Sequence, residues 1–121
     1  MIKVMIADDH PIIRNRIRQI LSDEKDMEVA CEASTGQEVL DLGCTPEMDM
    51  LVLDFHLTDM NALDLLPKLR VKYPRLPVLI LSAMSEGMYT NKLISLGAAG
   101  FVSKETASED LARTIREVLS I

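Results

Sequence analysis

The polar residues that break the apolar runs of this chain do so at one repeated place, just past the end of a run. Asp8 and Asp9 follow Ile2–Ala7, Asp54 follows Met50–Leu53, Ser82 follows Val78–Leu81, and Lys104 lies just beyond Gly100–Val102. If these positions converge, three carboxylates share one pocket, and they repel one another unless a cation joins them. Oxygen-only ligands select a hard ion, and Mg²⁺ commonly takes a few carboxylates, keeps waters and adds a phosphate oxygen. A carboxylate is also a competent nucleophile toward phosphorus, giving an acyl phosphate. Such transfer is catalysed mostly by positioning and charge neutralisation. Lys104 would neutralise one phosphoryl oxygen, Ser82 would donate to another, and Mg²⁺ would hold a third. The set is chemically complete for self-phosphorylation at Asp54.

Each residue taken singly has a plainer reading. Asp9, ahead of His10-Pro11, could cap a first helix with Pro11 at its first position. Asp54 could end a strand, Ser82 could be a turn residue or helix cap, and Lys104 could be a solvated surface lysine. Their grouping at four strand ends argues against separate accidents.

The elements that must position them alternate from end to end. Ile2–Ala7, Met27–Ala33, Met50–Leu53, Val78–Leu81 and Gly100–Val102 are short apolar runs without polar alternation, as strands buried on both faces read. Between them lie helical patterns. Ile13, Ile17, Ile20 and Leu21 make one apolar stripe, and Leu111, Ile115, Val118 and Leu119 make another. Weaker patterns occupy Gln37–Leu42, Leu63–Tyr73 and Glu86–Leu96, the last followed by Gly97 as a C-terminal cap. Pro67 falls inside the third pattern, so that helix either starts late, near Asp64, or continues through the proline with a kink; the kink is favoured. The order is βα repeated five times, which predicts a doubly wound α/β fold with a five-stranded parallel sheet. In the flavodoxin-like order 2-1-3-4-5, the strand C-termini share one edge, where open α/β sheets bind ligands. Asp54 is then central, with Asp8 and Asp9 one strand away on one side and Ser82 on the other. Lys104 is two strands off, roughly 10 Å, which a lysine can largely bridge.

The 121 residues suffice for one domain, and 48% apolar with 26% charged residues is a globular composition. A formal charge of −6, no Trp, two Tyr and two Phe exclude a basic groove or stacking platform, so no nucleic acid is expected on this domain. No apolar run approaches a membrane span, and the first residues do not read as a signal peptide. A cytoplasmic setting is expected, with Cys31 and Cys44 reduced.

The motifs Asp8-Asp9-His10-Pro11 with Arg14, Leu51-Val52-Leu53-Asp54, Leu79-Ile80-Leu81-Ser82-Ala83 and Gly97-Ala98-Ala99-Gly100-Phe101-Val102-Ser103-Lys104 resemble response-regulator receiver domains over essentially the whole chain. The opening motif and the Ala-Ala-Gly-Phe segment are most similar to the NarL/LuxR-like branch. The resemblance implies a two-component receiver over residues 1–121 that takes a phosphoryl group from a sensor histidine kinase onto Asp54. It makes Asp8 and Asp9 the acidic pair for Mg²⁺, the His56 carbonyl a further ligand, Lys104 the phosphoryl-binding lysine, and Ser82 with Phe101 the switch pair. It also implies a helix-turn-helix output domain beyond Ile121 under the receiver's control, with homodimerisation on phosphorylation. A stand-alone receiver acting by protein–protein contact is the alternative.

The chain departs from the family pattern at several points. Thr58 and Ala62 stand where Pro and Gly are usual, which alters the loop after Asp54. Glu105 follows Lys104 in place of a proline often reached through a cis bond, so a trans bond is expected. The side chain of His56 is either a bystander or a control on water's access to the phosphoryl group. Met84 and Met88 are expected to pack flexibly at the start of a helix. Arg14 and Arg18, and Lys68 and Lys72, read as solvated helix faces. A Mg²⁺-dependent phosphohydrolase would more usually have a second aspartate where His56 stands. An FMN binder would need a hydroxyl- and glycine-rich loop after strand one, where this chain has Asp8-Asp9-His10-Pro11.

Overall fold

The computed structural model describes residues 1–41 and 47–120. Five strands, β1 (Ile2–Ala7), β2 (Met27–Ala33), β3 (Met50–Asp54), β4 (Val78–Ser82) and β5 (Gly100–Ser103), form one parallel sheet in the order 2-1-3-4-5. The helices are α1 (Pro11–Ser22), α2 (Gly36–Asp41), α3 (Ala62–Lys72), α4 (Thr90–Ser95) and α5 (Ala107–Leu119). The expected architecture and strand order hold.

Alternate side chains of the central strands enter two separate cores. Met5, Ala7, Leu51, Leu53, Val78 and Ile80 meet Leu65, Leu66 and Leu69 of α3 and Leu93 of α4. Val4, Ile6, Met50, Val52, Leu79 and Leu81 meet Ile17 and Leu21 of α1 and Leu111 and Ile115 of α5. Both faces are therefore covered, which is why β3 and β4, and β1 from Val4 onward, read as continuous apolar runs. Each fully buried Leu or Ile contributes roughly 1.5–3 kcal/mol. That packing, more than helix propensity, holds helices as short as α2 and α4.

Local details refine the sequence reading. The cap position of α1 falls on His10, with Pro11 at the first turn, so Asp9 is not the cap. α3 begins at Ala62, with the Asn61 side chain accepting from the Asp64 N–H, and continues through Pro67; it does not start late. The fourth helical pattern opens as a 3₁₀ segment over Met84–Tyr89 before α4. Met84 and Met88 are 85% and 79% exposed. They do not pack as expected, because the small and polar residues Ser85 and Gly87 beside them bring no apolar stripe onto the sheet. Gly97 ends α4 at φ 106°, where a Cβ would stand 2.8 Å from the Arg70 side chain. No peptide bond among the described residues is cis, Lys104–Glu105 included. Cys31 is disulfide-bonded and not the free thiol expected, since an argument from compartment says nothing of what the fold brings to it. Cys44 and Leu42 lie outside the described residues.

Candidate functional site

The carboxyl edge of the sheet gathers the residues that the strand ends delivered. Asp8 and Asp54 are each only 1% exposed. Lys104 Nζ lies 2.8 Å from Asp54 Oδ1, so the lysine spans the two strands as its length allows. Its backbone N–H donates to the Ser82 carbonyl at 2.9 Å, which ties the end of β5 to the end of β4. Ligand atoms of Asp8, Asp9, His10 and Asp54 all fall within 4.8 Å of one another. Asp8 Oδ1 accepts the His10 N–H at 2.7 Å, and Arg14 Nη1 donates to the Asp8 carbonyl at 2.8 Å. Arg14 is therefore part of the framework of the acidic pair, and not only a solvated face.

The electrostatics follow from the burial. Removal from water, and then the nearby Asp54 charge, raise the pKa of Asp8, against the His10 N–H bond that favours its ionised form. Burial alone would lower Lys104; the adjoining Asp54 carboxylate outweighs it, with help from Glu86 and Asp8, and the lysine is held charged. Asp8 Oδ2 and Asp54 Oδ2 are buried without a hydrogen-bond donor among the described residues. Buried anionic oxygens without donors are costly. A set of such oxygens facing one point fits a hard divalent cation.

The loop after β3 closes over this cluster. Leu57 N–H donates to the Met60 carbonyl at 3.0 Å, and His56 pairs with Asn61. Thr58 Oγ1 donates to Asp9 Oδ2 at 2.8 Å. Asp59 accepts the N–H groups of Gly36 and Gln37 at 2.8 and 3.0 Å. The exposed His56 ring reaches Glu86 Oε2 at 3.0 Å, and Glu86 Oε1 accepts the Ala83 N–H at 2.7 Å. Sequence reasoning passed over Glu86, His10 and the Thr58 hydroxyl as site residues. All three act through contacts between separate loops, which carry no local signal.

The chain is similar to known proteins over nearly its whole length. Residues 4–116 match the family model of the response regulator receiver domain. The chain is a response-regulator receiver domain. Curated relatives include the response regulator GacA of Pseudomonas aeruginosa, 28% identical over 99% of this chain and 56% of its own length. The nitrate/nitrite response regulator NarP of Escherichia coli is 34% identical over 94% of this chain and 53% of its own. NarP and its fellow relative NarL place the receiver in the NarL/LuxR-like branch. The chain spans little more than half the length of these relatives. Among solved structures, the signal receiver domain of NarL from Mycobacterium tuberculosis superposes with a TM-score of 0.82 at 27% identity, covering 98% of this chain and 94% of that one.

In the receiver, Ser82 and Phe101 line one surface cavity of about 300 Å³, together with Ala83, Met84, Gly87 and Ser103. Phe101 is half-buried and packs against the core on the α3 and α4 side. No helix among the described residues is long and apolar enough to cross a membrane.

Proposed function

We propose that Asp54 is the phosphoacceptor of this receiver, taking its phosphoryl group from a sensor histidine kinase. The observation that carries the reading is the buried Asp54 carboxylate, paired with Lys104 at 2.8 Å and flanked by Asp8 and Asp9. An Asp54 oxygen forms the new P–O bond as the bond from phosphorus to the donor's leaving atom breaks. Lys104 holds a phosphoryl oxygen, and the Ser82 hydroxyl donates to another. Asp8, Asp9, Asp54 and the His56 carbonyl would hold Mg²⁺. When bound, the ion supplies the positive charge that lets the carboxylates and the phosphoryl oxygens share one pocket.

The receiver acts on itself and not on a small substrate. The position two residues past Asp54 is His56, whose ring pairs with Glu86, and this gives no support to a phosphohydrolase. Phosphorylation is read out through Ser82 and Phe101 on the surface formed by α4, β5 and α5. In the full protein this controls a helix-turn-helix output domain, with homodimerisation as a consequence, in the cytoplasm. The relatives' greater length and their names as response regulators support that arrangement.

Incubation with acetyl phosphate and Mg²⁺, followed by intact mass, tests the acceptor. The wild-type chain gains one phosphoryl mass and Asp54→Ala gains none. An Asp54→Ala variant that still gains the full mass would sink the assignment.

A further inference from the structure

The proposed cation ligands are braced unequally. Asp8 is buried, with one oxygen on the His10 N–H, and Asp54 is buried against Lys104. Asp9 has a side chain 22% exposed, in a loop that follows β1. Its oxygen Oδ1 is buried beside the His10 Nδ1, at 2.9 Å, on a ring that is itself largely in solvent. Its other oxygen, Oδ2, accepts the Thr58 hydroxyl at 2.8 Å.

Thr58 is well placed to be a fixed reference. The next residue, Asp59, is clamped by two backbone N–H groups at the start of α2, and the turn is closed by the Leu57–Met60 and His56–Asn61 pairings. Consecutive side chains thus tie the loop to Asp9 on one side and to the start of α2 on the other. A hydroxyl has one proton to donate. Given to Oδ2, it fixes the rotation of the Asp9 carboxylate and leaves Oδ1 on the side of the acidic cluster.

We infer that Thr58 is a positioning residue for the divalent cation: its hydroxyl orients Asp9 without touching the ion. This rests on the reading above that Asp9 is a ligand. Hydrogen-bond partners that orient metal-ligating groups typically contribute ten- to a hundredfold in affinity. Thr58 is exposed, so valine, which has the same shape without the hydroxyl, should leave folding intact.

The test is calorimetric titration of the wild-type chain, Thr58→Val, Thr58→Ser and Asp9→Ala with Mg²⁺ alone, alongside the Mg²⁺ dependence of phosphorylation by acetyl phosphate. Thr58→Val should bind Mg²⁺ about tenfold more weakly, Thr58→Ser close to wild type, and Asp9→Ala weakest. The half-saturating Mg²⁺ for phosphorylation should rise by the same factor in Thr58→Val, with the rate at saturation unchanged. A general folding defect would not produce that split. If Asp9→Ala loses binding while Thr58→Val keeps it, or if serine fails to rescue, the inference about Thr58 falls and the site stands. If Asp9→Ala binds as wild type does, the site reading itself falls.

Discussion

Burial sets the surroundings of Asp8 against its ionisation. Burial, reinforced by Asp54, raises its pKa above the ordinary 3.8. A carboxyl whose folded-state pKa is raised binds its proton more tightly in the folded chain. Its stabilising contribution is present at low pH and is lost as pH rises through the raised value. Ionising Asp8 without a cation therefore works against folding. Asp8→Asn keeps an oxygen for the His10 N–H and turns an amide toward Asp54. In chelator-treated buffer at neutral pH, urea unfolding should show Asp8→Asn more stable than wild type by about 1 kcal/mol, within the range common for single stabilising substitutions. The gap should narrow as pH falls and Asp8 takes up its proton. A wild type more stable than the variant at neutral pH would show that the His10 bond outweighs the burial.

α2 has six residues and cannot stand alone. The Thr35 hydroxyl accepts the Glu38 N–H at 3.0 Å, and Asp59 takes the two N–H groups before it. Close packing accompanies the clamp, since a Cβ on Gly36 would stand 2.6 Å from the Met60 side chain. Burial works to raise the pKa of Asp59, but the Gly36 and Gln37 N–H groups outweigh it and hold it below 3.8. Asp59→Ala should cost about 1 kcal/mol, as loss of a helix N-cap does, measured by urea unfolding at neutral pH. Because the folded-state pKa is lowered, the contribution is present above 3.8 and lost as pH falls through the folded value. The difference between wild type and Asp59→Ala should therefore close in acid; a constant gap would mean the lost contact is not ionic.

Asp59 also shows why part of the molecule was unreadable beforehand. The runs Ile2–Ala7, Met50–Leu53, Val78–Leu81 and Gly100–Val102 announce parallel strands by composition alone, and their ends deliver Asp8, Asp54, Ser82 and Lys104 to one edge. The bond from Asp59 to Gly36 reaches back 23 residues, and that from Thr58 to Asp9 reaches 49. Neither leaves a periodicity. The 3₁₀ opening at Met84–Tyr89 was hidden for another reason: Glu86 turns its carboxylate inward to Ala83 and His56, against the stripe that a helical reading assumes.

In the proposed switch, the part of the receiver that moves is the cavity shared by Ser82 and Phe101. On that proposal, a phosphoryl group on Asp54 would give the Ser82 hydroxyl an anionic acceptor, a bond of about 1.5–3 kcal/mol. Fuller burial of the half-exposed Phe101 ring adds up to a similar amount. Together these reach the few kcal/mol that a shift between two populated states requires. Amide chemical shifts recorded with and without a beryllofluoride mimic should change across Glu86–Lys104. Changes confined to the loops around Asp54 would end the switch reading.

The division of the interior by the sheet has a consequence for how such a receiver can diversify. Leu53 and Ile80 belong to one core, Val52 and Leu81 to the other, and only backbone separates them. Substitutions far apart with no shared neighbours combine nearly independently. The surface over α1 and the surface over α3, both away from the α4–β5–α5 face, can therefore accumulate changes separately. A new recognition partner can be acquired on one side of the sheet while the packing behind the other goes on unaltered.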